Sequence, residues 1–304
     1  PQLSRFDMSY SVRKFNREED SEKLFILWKK VLKKPERGRL DAMYNDSTHG
    51  ASSWMIYCND YTDTVGCLSV LPVKIPNRRE TATIGINCDM IITREHRTLG
   101  PAVMLARSLL KDAGALGYDV LLAMPNEMSM PVFKRVGYKK VGNAIRFSRV
   151  LRSRNKVSQI IRNEYVKLIV SYVVDMSLHF MTLNSFMRLY YWTRRKHIHE
   201  IDVSINDPDI NSILFNEDID NDTIDFLYWR YGQVGNNESR IFNIKDIKNN
   251  SNHYIVYYRQ RNNAIIEHIN STEGIPGIFM LSRFIDRMYE ERIETIQLLH
   301  WGPK

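Results

Sequence analysis

Along the first 150 residues the apolar positions change period several times, and each change marks an element. Tyr10 to Phe15 alternates as a short strand, and Asp20 to Leu32 sets Leu24, Leu27, Trp28 and Val31 at helical spacing. Trp54 to Cys58 and Val65 to Val73 read as strands on either side of the turn-rich Asn59 to Asp63, with Thr81 to Ile92 as a third. From Gly100 to Leu116 the residues Val103, Ala106, Leu109, Leu110, Ala113 and Leu116 share one helical face, and Gly117 marks its stop. Tyr118 to Met124 follows as a buried strand, Met130 to Arg135 as a short helix closed by Gly137, and Ala144 to Leu151 as a strand. This alternation predicts an α/β fold, a mixed sheet flanked by helices.

Residues 156–192 are richly apolar but interrupted by Arg162, Lys167, Asp175, His179 and Asn184. A membrane-spanning helix needs about 20 apolar residues nearly free of charge. The stretch therefore predicts an amphipathic helix pair packing the two halves together, and no integral membrane segment. Beyond it, Met280-Leu281-Ser282-Arg283 echoes Met104-Leu105-Ala106-Arg107 at an offset of 176, which also lays Glu294 to Leu299 on Tyr118 to Ala123. Trp229-Arg230-Tyr231 and the polar loop after it resemble Ala42-Met43-Tyr44 and its own loop. The shared spacing predicts a duplicated domain. The boundaries follow as a first domain over 1–152, a helical connector over 153–200 and a second domain over 201–304.

A chain of 304 residues can bury two such cores. Its net charge of +8 is spread along the sequence without interleaved aromatics, so no nucleic-acid partner is expected. A solvated basic surface and a pocket for a polyanionic small molecule both fit that charge. Cys58, Cys67 and Cys88 form no Cys-x-x-Cys pair, which speaks against a disulfide framework and against zinc. His197 and His199 lack a third ligand, so no metal is expected. The opening Pro1 to Arg5 does not read as a leader, and a cytoplasmic location is expected.

The stretch richest in chemistry is Ile84 to Ala102, where a strand runs into a tight turn that opens a helix. Unpaired backbone N–H groups at a helix N-terminus suit a pyrophosphate, and Gly100 would let the backbone come close to it. Arg97-Thr98-Leu99-Gly100-Pro101-Ala102 fits the Arg/Gln-x-x-Gly-x-Gly/Ala signature of the GNAT superfamily of N-acyltransferases. Asn126, with Gly137-Tyr138 after it, is similar to that family's Asn…Gly-Phe ending. The resemblance covers residues 1–150 and implies two GNAT-like domains in tandem. The second is degenerate, since Gly274-Ile275-Pro276-Gly277 is its nearest counterpart to the signature, and it is expected to help form the acceptor site. The implied co-substrate is acyl-CoA, carrying an acetyl or a longer or hydroxylated acyl group. Met90, Ile91, Ile92, Arg97, Thr98, Leu99, Gly100, Pro101, Ala102, Asn126 and Phe133 are the implied contacts. Two departures stand out. Pro101 has no N–H to offer, and Phe133 stands where many members place a tyrosine that protonates the departing thiolate.

A thioester carbonyl is already electrophilic, so the enzyme need only align an amine, take its proton and stabilise the oxyanion. Strand alternation puts Asn87 and Asp89 on one face. Asp89 is expected to relay the proton, or else to pair with a nearby lysine or arginine. Asn87 is expected to hold a substrate hydroxyl or carbonyl. Tyr44 and His49 would border the acceptor. Trp229, Arg230 and Tyr231 would stack on a base and hold phosphate, or simply pack a core. The likeness to tandem GNAT proteins of bacterial polysaccharide clusters implies acyl transfer to a nucleotide-linked amino sugar, such as a dTDP-3-amino-3,6-dideoxyhexose. An aminoacyl or peptidyl amine is the alternative acceptor, and a non-catalytic GNAT-fold binding module the alternative class. No protein partner is implied.

Overall fold

The computed structural model describes residues 9–45, 50–58, 63–76, 81–180, 189–193, 195–214, 221–234, 238–248, 251–270 and 275–302. It divides into two compact units, Pro1–Val141 and Gly142–Lys304.

The first unit runs β1 (Tyr10–Lys14), α1 (Arg17–Val31), α2 (Arg37–Asn45), β2 (Ser52–Cys58), β3 (Asp63–Pro76), β4 (Thr81–Ile92), α3 (Leu99–Asp112), β5 (Val120–Ala123) and α4 (Met130–Arg135). Its sheet has the order β1-β2-β3-β4-β5. The first four strands form an antiparallel meander, and β5 returns parallel to β4 after α3 crosses the sheet. α1 starts where the Asn16 side chain accepts the Glu18 N–H, with acids in its first turn and lysines in its last. It buries Leu24, Leu27 and Trp28. α3 lays Leu105, Ala106 and Leu109 on Trp54, Ile56, Leu68 and Val70. Trp54 Nε1 donates to Asp112 at 2.8 Å and pins the end of that helix. The helix stops four residues short of Leu116, in a turn that ends at Gly117 with φ of 74°. α2 has no sequence counterpart above, because only Leu40 and Met43 of its nine residues are fully buried and no apolar stripe marks it.

The second unit runs β6 (Asn143–Val150), α5 (Arg154–Ile160), α6 (Glu164–Phe180), β7 (Ile198–Ser204), α7 (Ile210–Leu214), α8 (Asn221–Leu227), a π-helical turn (Tyr228–Gln233), β8 (Arg240–Asp246), β9 (Ser251–Gln260), β10 (Asn263–Asn270), α9 (Ile275–Glu290) and β11 (Thr295–Gly302). Here β7 to β10 form the antiparallel meander, and β11 returns parallel to β10 after α9. The two units thus share one topology, two tandem α/β domains of the same wiring. The core gathers Phe242, Tyr257, Met280, Phe284 and Met288 under α9.

β6 belongs to the second sheet. The sequence boundary at 152 groups it with the first domain, yet all eight of its residues pair with β11, from Val150 on Thr295 to Asn143 on Gly302. A strand's alternation is the same whichever edge accepts it, so the pattern alone could not assign it. The connector also differs from expectation. α5 and α6 form, but the apolar stripe of α6 is exposed.

Candidate active site

In both units the strand between an antiparallel and a parallel neighbour bulges where the parallel pairing ends. On β4, Ile84 to Asn87 pair with Val120 to Ala123 of β5, and there the parallel ladder stops. On the β3 side the register shifts, so Asp89 and Met90 face Leu68 between the pairs Cys88–Ser69 and Ile91–Cys67. Two residues opposite one is a β-bulge, which bends the strand and opens its ladder. Asp89 takes φ of 46°, a left-handed conformation that aspartate tolerates better than most side chains. The Cys67 thiol donates to the Asp89 carbonyl at 3.4 Å from the neighbouring strand. Gly66 makes room nearby, since a Cβ there would lie 2.6 Å from the Ile91 carbonyl oxygen.

Beyond Asn87 and Ala123 the two strands part, and a cavity of about 600 Å³ occupies the first unit there. Asn87 to Ile92 line one wall without a gap, while Met124 to Asn126 and Phe133 line the opposite one. Arg97, Thr98 and Ala102 close the end nearest α3. The bulge interrupts the alternation that put Asn87 and Asp89 on one face, yet both still border the cavity.

The turn that opens α3 follows a single 3₁₀ turn, Arg94–His96. Arg97 Nε donates to the Ile92 carbonyl at 3.0 Å, tying the turn to the end of β4. Thr98 is the extended residue before the helix, and its N–H is spent on the His96 carbonyl at 2.7 Å. The leading N–H groups of α3 are therefore those of Leu99 and Gly100, Pro101 having none. Gly100 is exposed, and a Cβ there would meet nothing within 4 Å. The N-terminus is open to an approaching anion. His96 is held instead by the Tyr10 hydroxyl, 2.9 Å from its Nδ1.

The remaining side chains sort clearly. Asp89 lies 3.5 Å from an Arg39 Nη of α2, whose guanidinium also covers the Trp28 ring at 5.4 Å. Asn87 Nδ2 donates to the Leu122 carbonyl at 2.9 Å and to the Tyr138 hydroxyl at 3.0 Å. Its amide thus ties β4 to β5, where the sequence reading gave it to substrate; its Oδ1 is buried with no hydrogen-bond partner among the described residues. Asn126 Oδ1 accepts the Ser129 N–H and Oγ–H at 2.9 and 3.0 Å, building the turn before α4. Phe133 is buried and meets the Tyr138 ring edge-on at 5.0 Å. Tyr138 entered the sequence reading only as part of the Gly137-Tyr138 ending, with no role in the site. Burial pushes its hydroxyl pKa up, partly offset by the Asn87 hydrogen bond, so the group stays protonated beside the strand junction.

Tyr44 is not among the residues lining the cavity. Its ring packs on Phe15 at 5.0 Å and its hydroxyl meets Ser69 Oγ at 2.6 Å, while burial pushes its pKa well up. His49 lies outside the described residues. Trp229 and Tyr231 are buried in the second unit, on the π-helical turn, with the Arg230 guanidinium over the Tyr231 ring at 5.4 Å. The structure thus brings Arg97, Thr98 and Ala102 together with Asn87, Asp89 to Ile92, Asn126 and Phe133 around one cavity, while Leu99, Gly100 and Pro101 are not among the residues lining it.

The second unit carries its own bulge, on β10 between Ile266 and His268, again where the parallel pairing ends. Burial raises the pKa of Glu267 at that bulge, against the opposing effects of the Ser239 hydrogen bond and the Arg230 charge. Ser239 Oγ donates to its carboxylate at 3.1 Å. A carboxyl whose folded pKa is raised binds more protons in the native state, so stability falls as pH climbs from the unfolded value through the folded one. Glu267→Gln keeps an acceptor for Ser239 and should raise the melting temperature at pH near 7. It should bring no gain at pH well below about 4.3, where both states are protonated. Parallel melts at the two pH values check this, and a neutral-pH loss would show Arg230 to outweigh burial.

No protein-family model matches the sequence, and no curated protein does. Solved structures are similar in fold. A conserved protein of Enterococcus faecalis described as a probable N-acyltransferase superposes with a TM-score of 0.62 at 11% identity, covering 97% of this chain and 66% of that one. A GCN5-related N-acetyltransferase from Kribbella flavida gives 0.58 at 8% identity, covering 99% and 66%. The chain therefore spans just under two thirds of those two proteins. A tandem GNAT protein from the clavulanic acid biosynthesis pathway gives 0.51 at 10% identity, covering 98% and 91%. With the bulged and splayed strand in each unit, these likenesses establish the fold: two GNAT-like α/β domains in tandem.

Proposed function

We propose that the chain is an acyl-CoA-dependent N-acyltransferase whose first unit holds the co-substrate and whose acceptor is the amino group of a nucleotide-linked amino sugar. A dTDP-3-amino-3,6-dideoxyhexose is the type of acceptor meant. One observation carries the reading: a single cavity joins the β4 bulge, the β4–β5 parting and Arg97, Thr98 and Ala102 about the start of α3. The residues fit the group. The Leu99 and Gly100 N–H groups and the Arg97 side chain suit a pyrophosphate, and Met90, Ile91, Ile92 and Phe133 offer an apolar wall for a pantetheine arm. When bound, the thioester supplies an electrophilic carbonyl and a thiol leaving group. Asp89 borders the cavity and takes the proton that the attacking amine must lose, directly or through a water. Arg39, 3.5 Å away, orients that carboxylate. Phe133 supplies no proton to the leaving thiol; the Tyr138 ring meets it edge-on, and the Tyr138 hydroxyl rests on Asn87. The net charge of +8 suits two polyanionic substrates, and the sugar nucleotide rests on that and on the tandem architecture.

Thiol release from acetyl-CoA and longer acyl-CoAs, measured across nucleotide amino sugars, aminoacyl amines and peptide N-termini, tests the proposal. Turnover should appear with an amino-sugar nucleotide. Turnover only with another amine would move the acceptor. Calorimetric binding of acyl-CoA without turnover on any amine would favour the binding module, for which Phe133 and Pro101 speak. Absence of binding would end the reading.

A further inference from the structure

α6 turns its apolar stripe outward. Tyr165, Leu168, Ile169, Tyr172, Val173 and Met176 recur at helical spacing on one face, and all are exposed, Tyr165 by 84% and Tyr172 by 65%. The opposite side is the one that packs: Ser171 is buried, Ser153 Oγ donates to the Ser171 carbonyl at 3.3 Å, and Asp175 accepts the Ser153 N–H at 2.6 Å. A helix in a soluble core does the reverse. Ten of the 22 large apolar side chains exposed among the described residues fall between positions 160 and 192, including Ile160 and Trp192. An apolar stripe of six residues left exposed along one helix face marks an interaction site.

The charges around the stripe choose its occupant. Arg154, Lys156 and Arg162 flank it and are exposed, and Arg195 and Lys196 are exposed further along the chain. The two acids of the helix are engaged, Glu164 by Lys167 at 2.5 Å and Asp175 by the Ser153 N–H. A second copy packed helix to helix would bring basic flank against basic flank, while the acids α6 itself carries are already engaged. An anionic lipid surface complements every feature. The apolar face enters the acyl boundary, tyrosine rings sit at headgroup depth, and basic flanks meet acidic headgroups. No described helix is long and apolar enough to cross a membrane. At 17 residues, about 25 Å long, α6 suits lying flat in the interface.

We propose that α6 is an interfacial helix that docks the chain on an anionic lipid surface. The test is co-sedimentation of the full chain with vesicles of phosphatidylcholine alone or with about one third phosphatidylserine. Retention on the anionic vesicles should exceed that on the neutral ones by about tenfold or more and should fall steeply as salt is raised. Ile169→Glu with Tyr172→Glu should abolish it without lowering the melting temperature, since both side chains are exposed. Should that double variant fail to fold, Arg154→Ser with Arg162→Ser tests the same claim by reducing only the anionic preference. Equal retention on both vesicle types, or none on either, overturns the proposal. So does a dimer in light scattering that the α6 substitutions dissolve, which would make a second copy the occupant.

Discussion

Gly100→Val is expected to weaken acyl-CoA binding by about 100-fold or more, near 2.7 kcal/mol, while leaving the fold intact. Gly100 is the second residue of α3, with open space where a Cβ would go, so the protein itself accepts the new side chain. Valine is no worse a helix residue than glycine, and the melting temperature should hold or rise slightly. The methyl groups would occupy the space in front of the Leu99 and Gly100 N–H groups. With Pro101 contributing none, these are the donors left at that helix end. Calorimetry with acetyl-CoA, set beside thermal melts on the same preparation, gives the answer. A stable variant that binds the thioester normally would show that the pyrophosphate lies elsewhere.

The turn was legible because its chemistry is local. Arg97, Thr98, Gly100 and Ala102 stand within six residues, and the strand before them and the amphipathic helix after them have clear periods. The duplication was legible in the 176-residue echo, and the shared strand order of the two units bears it out. What the chain hid is what depends on register. The β4 bulge arises because Asp89 and Met90 share one partner, Leu68, and nothing in the linear pattern records which residues face each other across a sheet. The same holds for Asp89 and Arg39, 50 positions apart, and for Asn87 and Tyr138, 51 apart. Asn87 read as a polar residue free for substrate, but its Nδ2 bridges the two strands that part beside it. Trp229 and Tyr231 read as a nucleotide platform or, by default for Trp229, as core. Their burial shows that they pack the second unit, leaving Arg230 as the more accessible member of the trio. β6 was grouped with the first domain, while it pairs with β11, because alternation names a strand but never its neighbour.

Asp89→Asn is expected to lower kcat by about 10²–10⁴-fold, the usual contribution of a positioned general base. The substitution is chosen for the backbone. Asp89 holds φ of 46°, and asparagine tolerates the left-handed region, so the bulge should persist. The Asp89 side chain is 14% exposed and its Arg39 partner 36%, so the arginine can turn to water once the carboxylate is gone. Pairs of that exposure contribute about 0–1 kcal/mol, and little stability should be lost. Affinity for acetyl-CoA should change little, because the turn proposed to bind its pyrophosphate lies beyond the end of β4. Asp89→Gly sharpens the experiment, as glycine adopts positive φ freely and also lacks the carboxylate. If the carboxylate accepts the amine's proton, both variants lose turnover and keep cofactor binding. If Asp89 matters only by shaping the bulge, both keep turnover, because both keep the backbone. Asparagine and glycine enzymes with wild-type kcat and unchanged melting would remove Asp89 from the mechanism. The proton would then leave through an ordered water, beside a strand junction where the Asn87 Oδ1 stands buried with no donor among the described residues.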